Sequence, residues 1–65
     1  MMKIFQLAID YNLIDKVNHQ RIDGIIYRFA GSKSECRKKI GWFLTKSEVT
    51  SIGDIEINSL RIEPL

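Results

Sequence analysis

The chain has 65 residues, 10 Lys+Arg against 8 Asp+Glu, and a formal net charge of +2; 45% of its residues are hydrophobic and 28% charged. That is a globular balance at single-domain length, 1–65, in which roughly 60% of the unfolded surface can be buried, so the core is small. One Cys and one His rule out an internal disulfide and a Cys/His zinc site. Apolar runs no longer than three residues, such as Trp42-Phe43-Leu44, rule out a membrane-crossing helix and a signal-peptide core.

Isoleucine occurs at 11 positions, Ala at 2, and the only Pro is Pro64, a bias toward strand. Lys3 to Tyr11 alternates: Phe5, Leu7, Ile9 and Tyr11 share one face, and Ile4, Gln6, Ala8 and Asp10 the other. This is the period-2 pattern of a half-buried strand. Asn12 to Asp23 is polar and reads as a long connection, with a strand extension or a tight turn at Asp23-Gly24 as competing readings. Gly24 to Ala30 is a second strand, with Ile25, Tyr27 and Phe29 on one face and Ile26 and Arg28 on the other; Gly31 breaks it.

Ser32-Lys33-Ser34-Glu35 has the spacing of a capping box, so a helix is expected from Lys33 to Lys46. At 100° per residue Cys36, Ile40, Phe43 and Leu44 form its apolar stripe. Gly41 inside it costs ~1 kcal/mol relative to Ala. The alternative ends the helix at Ile40 and makes Trp42 to Val49 a strand. Thr50 to Asp54 reads as a loop. Ile55 to Glu63 reads as a strand with a phase fault, because Ile55 and Ile57 are out of step with Leu60 and Ile62. A bulge near Asn58-Ser59 would repair it, and Pro64 would end the pairing. The order strand-strand-helix-strand predicts an α+β fold, ββαβ: a three-stranded antiparallel sheet in order 2-1-3, with one helix on one face.

Chemistry has few places to sit. Cys36 lies on the helix's apolar stripe and His19 in the polar connection, so no nucleophile–base pair assembles. The four glycines are isolated and form no phosphate loop. No enzyme activity, cofactor or metal is expected. The informative segment is the helix: Lys33, Arg37, Lys38, Lys39 and Lys46 against Glu35 and Glu48 give it net +3, while the rest of the chain nets −1. Lys38, Lys39, Trp42 and Lys46 fall on one flank, away from Cys36 and Phe43. Trp42 there either covers the core edge beside lysine stems or anchors a contact. The open sheet face, with Gln6, Ala8, Arg28, Ser59 and Arg61 beside Ile4 and Ile26, is a second candidate surface, and Arg28 and Arg61 are its candidate contacts.

Tyr27 and Ala30 ending the second strand, the cap Ser32, the small Cys36, Trp42 on the helix and the closing Arg61-Ile62-Glu63-Pro64 resemble the small inhibitors of bacterial RNA polymerase carried by some podophages. The resemblance covers a little over half the chain. It implies a strand-strand-helix-strand protein that blocks a host machine by occupying a functional surface. That family presents acidic residues from its helix, whereas Arg37, Lys38 and Lys39 are basic here, and Glu63 stands where a basic residue is expected. A basic helix suits equally the mode of small anti-CRISPR proteins, which place lysines in nucleic-acid channels of a nuclease complex. The expected partner is therefore a host protein or nucleoprotein complex, with nucleic acid, read by an excisionase-type or transcription-modulating regulator, as the alternative. No membrane contact is expected, the chain would be a monomer or weak homodimer, and its setting would be a reducing cytoplasm, the host's if phage-encoded.

Overall fold

A computed structural model describes residues 3–65. The elements are β1 (Phe5–Asp15), β2 (Arg21–Gly31), α1 (Lys33–Lys46), α2 (Glu48–Ile52) and β3 (Gly53–Pro64). The strands form one antiparallel sheet in the order β2-β1-β3, and α1 packs on one face of it. This is the expected α+β arrangement.

The central position of β1 follows from its side chains. Leu7, Ile9, Tyr11 and Leu13 alternate onto the helix-covered face and are all buried. Cys36 and Phe43 of α1 complete this core, flanked by Phe5, Ile25, Tyr27, Phe29, Ile40 and Ile62. Burying a side chain such as Leu7, Ile9 or Phe43 contributes about 1.5–3 kcal/mol.

The stretch expected as a long connection is instead a hairpin. β1 runs on to Asp15 and β2 begins at Arg21, leaving a short turn over 16–20. Asp15 organises that turn: its Oδ1 accepts from the backbone N–H of Val17 at 2.7 Å and of Asn18 at 3.1 Å. His19 takes a left-handed φ of 56°. Asp23-Gly24 is not the turn. It is a bulge inside β2, where the register passes from Tyr11↔Ile25 to Leu13↔Ile22, so two β2 residues face Asn12. Gly24 adopts φ 70°, which glycine accepts without a Cβ penalty. Gly31 does not break β2 either; it pairs with Phe5 as the last residue of the strand.

β3 contains the expected bulge. Its pairing with β1 shifts between Asp10↔Ser59 and Tyr11↔Ile57, leaving Asn58 as the extra residue. The shift returns Ile55, Ile57, Leu60 and Ile62 to a single face. Asn12 ties the two bulges together. Its Oδ1 accepts from the Gly24 N–H at 3.2 Å and from Asn58 Nδ2 at 2.8 Å.

α1 spans the expected Lys33–Lys46 without a break at Gly41. Ser32 Oγ accepts from the Glu35 N–H at 3.1 Å, and Glu35 Oε1 accepts from the Ser32 N–H at 3.0 Å, closing the capping box. Ser47 ends the helix in an extended conformation, with its hydroxyl donating to Phe43 O at 2.6 Å. Other expectations fail within α1 and after it. The segment read as a loop folds into α2, and β3 begins earlier, at Gly53. Leu44, assigned to the buried stripe, is 42% exposed. The stripe centres on Cys36 and Phe43 above β1 and β2, which turns Leu44 toward β3, where the helix offers little cover. Nor does pairing stop at Pro64, since the Leu65 N–H donates to Ile4 O at 2.9 Å.

Candidate functional site

The flank of α1 above β2 gathers the basic and aromatic residues. Phe43 points into the core and meets Tyr11 edge-on, with ring centroids 5.1 Å apart. Tyr27 stacks on Phe43 at 4.9 Å, and Trp42 tilts against Tyr27 at 6.2 Å. The four rings form a continuous column from the core to the surface. Trp42 is its outer end, 41% exposed, so its indole is held from behind and presented in front.

Lys39 lies between two rings: its Nζ is 4.7 Å from the centroid of Phe29 and 4.7 Å from that of Trp42. A cation over aromatic faces gains about 0.5–1 kcal/mol at such partly exposed positions. Lys39 therefore pins the indole as well as charging the surface. Lys38 and Lys46 are exposed and form no ion pair among the described residues. Two clefts open on either side of Trp42. One, of about 480 Å³, is walled by Tyr11, Tyr27, Trp42, Lys46, Glu48 and Val49. The other, of about 360 Å³, is walled by Phe29, Glu35, Lys38, Lys39 and Trp42. An aromatic flanked by two grooves and three ammonium groups suits an acidic, partly apolar contact surface.

Arg28 and Arg61 are not part of this strip. They stand on the opposite, uncovered face of the sheet, where the register sets both against Ala8. Ala8 is thus the small residue between the two arginines in the register. Arg61 leans on Glu63 at 3.6 Å, and Arg28 has no ion-pair partner among the described residues. The six residues singled out from the sequence thus form two sites on opposite faces.

A polar cluster at the bulges was not legible beforehand. Arg21 binds Asp23 and Glu56, each at 2.7 Å. Asn12 Nδ2 donates to Asn58 Oδ1 at 3.2 Å, and Asn58 Nδ2 donates to Asp10 Oδ1 at 3.4 Å. The only advance signals were Gly24 and the phase fault in β3, and neither names its partner across the sheet. These groups satisfy one another, which gives the cluster a structural role at the two register shifts.

Cys36 is fully buried, with its Sγ 3.7 Å from Phe5 O and 4.0 Å from Gly31 O. His19 lies in the exposed β1–β2 turn. The two sit on separate elements, and no group of three metal-ligating side chains occurs among the described residues. No helix among them is long and apolar enough to cross a membrane. No protein-family model matches the chain, and no curated protein or solved structure is significantly similar to it.

Proposed function

We propose that this chain is a non-catalytic binding protein, of phage or mobile-element type, that obstructs a host defence or transcription complex by seating the basic flank of α1 on an acidic surface. The supporting observation is Trp42, half-exposed at the end of an aromatic column and surrounded by Lys38, Lys39 and Lys46. A rigid indole loses little conformational entropy on contact, and like charges around it steer association with an acidic partner. The test combines capture from a host lysate with a two-site variant. Lys38→Glu with Lys46→Glu should abolish capture of the acidic partner while leaving the fold intact, because both side chains are exposed. Undiminished capture by the folded double variant would overturn this reading.

A second reading, nucleic-acid binding, is favoured by Arg28 and Arg61, which the register sets on either side of Ala8 on the open face. Phosphate contacts would make affinity for bare duplex DNA fall with salt, by a log–log slope of about 0.9 per phosphate. Such binding would be lost in Arg28→Ala with Arg61→Ala and kept in the lysine variant. That pattern separates the two faces experimentally.

A further inference from the structure

We infer that the chain pairs with a second copy of itself along the β3 edge, two-fold about Asn58-Ser59, to make a continuous six-stranded antiparallel sheet. β2 and β3 are both edge strands, but they differ in what they present. In an antiparallel ladder the N–H and C=O of one residue point to the same side, alternately toward one neighbour and the other. The Leu65 N–H donates to Ile4 O, and the Lys16 N–H donates to Ile52 O, one bond at each end of β3. Even-numbered β1 residues therefore bond to β3 on both sides of the bulge. In β3 this turns 54 and 56, then 59, 61 and 63, inward. The backbone groups of Ile55, Ile57, Leu60 and Ile62 point outward, unpaired.

A two-fold axis between Asn58 and Ser59 sets Ile57 opposite Leu60 of the second copy, and Ile55 opposite its Ile62. Every one of these residues has outward-pointing backbone groups, so all four meet as hydrogen-bonded pairs. The bulge does not spoil the match. It inserts its extra residue at the axis, where the second copy inserts its own, and thereby keeps Ile57 and Leu60 on one face. A register shifted by one residue would set outward groups against inward ones. Side chains match as well. Ile57 is 41% and Leu60 39% exposed on the helix-side face. Pairing covers this strip with its own equivalent. On the other face Glu56, already bound by its own Arg21, falls opposite Arg61 of the second copy, which places no like charges together there. The like-charged pair, Asp54 with Glu63, falls near the strand ends, where Glu63 already has its own Arg61 at 3.6 Å.

The β2 edge does not offer this. Its open face carries Arg28, which has no ion-pair partner among the described residues, and the basic flank of α1 lies above it, so two β2 edges would bring like charges together. The β3 pairing sends both basic flanks to the outer edges of the dimer.

Sedimentation equilibrium of the full chain tests the pairing. The expected mass is twice 7.6 kDa. Leu60→Lys should raise the dimer dissociation constant by at least about tenfold, because it sets an unpaired charge against Ile57 of the second copy. Far-UV circular dichroism and Trp42 emission establish that this variant is folded. Register is tested by mixing Glu56→Cys with Arg61→Cys under oxidation. A mixed disulfide should form, since non-hydrogen-bonded partners lie about 4.5 Å apart at Cα. A monomer at all concentrations, a dimer indifferent to Leu60→Lys, or failure of the mixed disulfide would overturn the proposal. So would an open-ended series of larger species, the mark of β3 pairing head-to-tail with β2.

Discussion

Ser32 shows how much one side chain can decide. It supplies the hydroxyl that starts α1, and its own N–H is taken by Glu35. Ser32→Ala should lower the unfolding free energy by about 1 kcal/mol in urea titration, and an unchanged midpoint would detach the helix start from this cap. Two carboxylates, the half-buried Asp15 and the exposed Glu35, make the stability sensitive to acid. Asp15 is held below its ordinary pKa by the N–H groups of Asn18 and Val17, and Glu35 by the Ser32 N–H and then its hydroxyl. A lowered native pKa means that the contribution is complete at neutral pH. It is lost as pH falls through the ordinary carboxylate range toward the lowered native values. Asp15→Asn with Glu35→Gln keeps acceptors in place and removes the titration, so Tm should fall less steeply on acidification than in the parent chain. Equal slopes would show that neither group is linked to folding. Cys36→Ala should cost stability through the small void it leaves, without loss of binding, since the thiol is enclosed in the core. Loss of binding by a folded Cys36→Ala would point instead to thiol chemistry.

At the scale of elements, two glycines have opposite roles. Gly41 lies in the α1 interior, and a Cβ there would meet nothing within 4 Å. Gly41→Ala should therefore stabilise the chain by about 1 kcal/mol. Gly24 has equal space but a φ of 70°, so Gly24→Ala should destabilise it, moving the denaturation midpoint the other way. A stabilising Gly24→Ala would mean that the bulge is not held at that φ. The helix was legible because its start signal and its apolar stripe are local, within four residues of one another. The β3 bulge was legible for a similar reason: Ile57 and Leu60 cannot share a face without an extra residue between them. Asp23-Gly24 misled because the same dipeptide serves a two-residue turn and a bulge. What separates the two is Asn12, which faces it from the neighbouring strand and accepts the Gly24 N–H.

The whole molecule is elongated, 48 × 20 × 11 Å, with a radius of gyration of 12.9 Å against the ~11 Å typical of a compact chain this long. A flat sheet with one helix over part of it exposes much surface for its mass. That surface is polarised, with basic and aromatic groups above β2, and β3 carrying Asp54, Glu56 and Glu63 against Arg61. Association with an acidic partner through the β2-side flank should thus slow as salt rises, while dissociation changes less. Trp42 is the only tryptophan, so stopped-flow emission reads both rates. A salt-independent association rate would mean that the lysines do not face the partner.

By itself the sequence determined the strand faces, the capped helix, the 2-1-3 order and the place of the β3 bulge. The faces, the cap and the bulge follow from periodicity or from chemistry within a few residues, and the 2-1-3 order from the succession of hairpin and helix crossover. The tertiary structure alone decided the length of the hairpin, the folding of Glu48–Ile52 into α2, and the exposure of Leu44. It also showed Lys39 held between Phe29 and Trp42. Those outcomes depend on which strand lies opposite and how far the helix reaches across the sheet. Both are set by register and packing between residues distant in sequence, and local patterns carry no record of them.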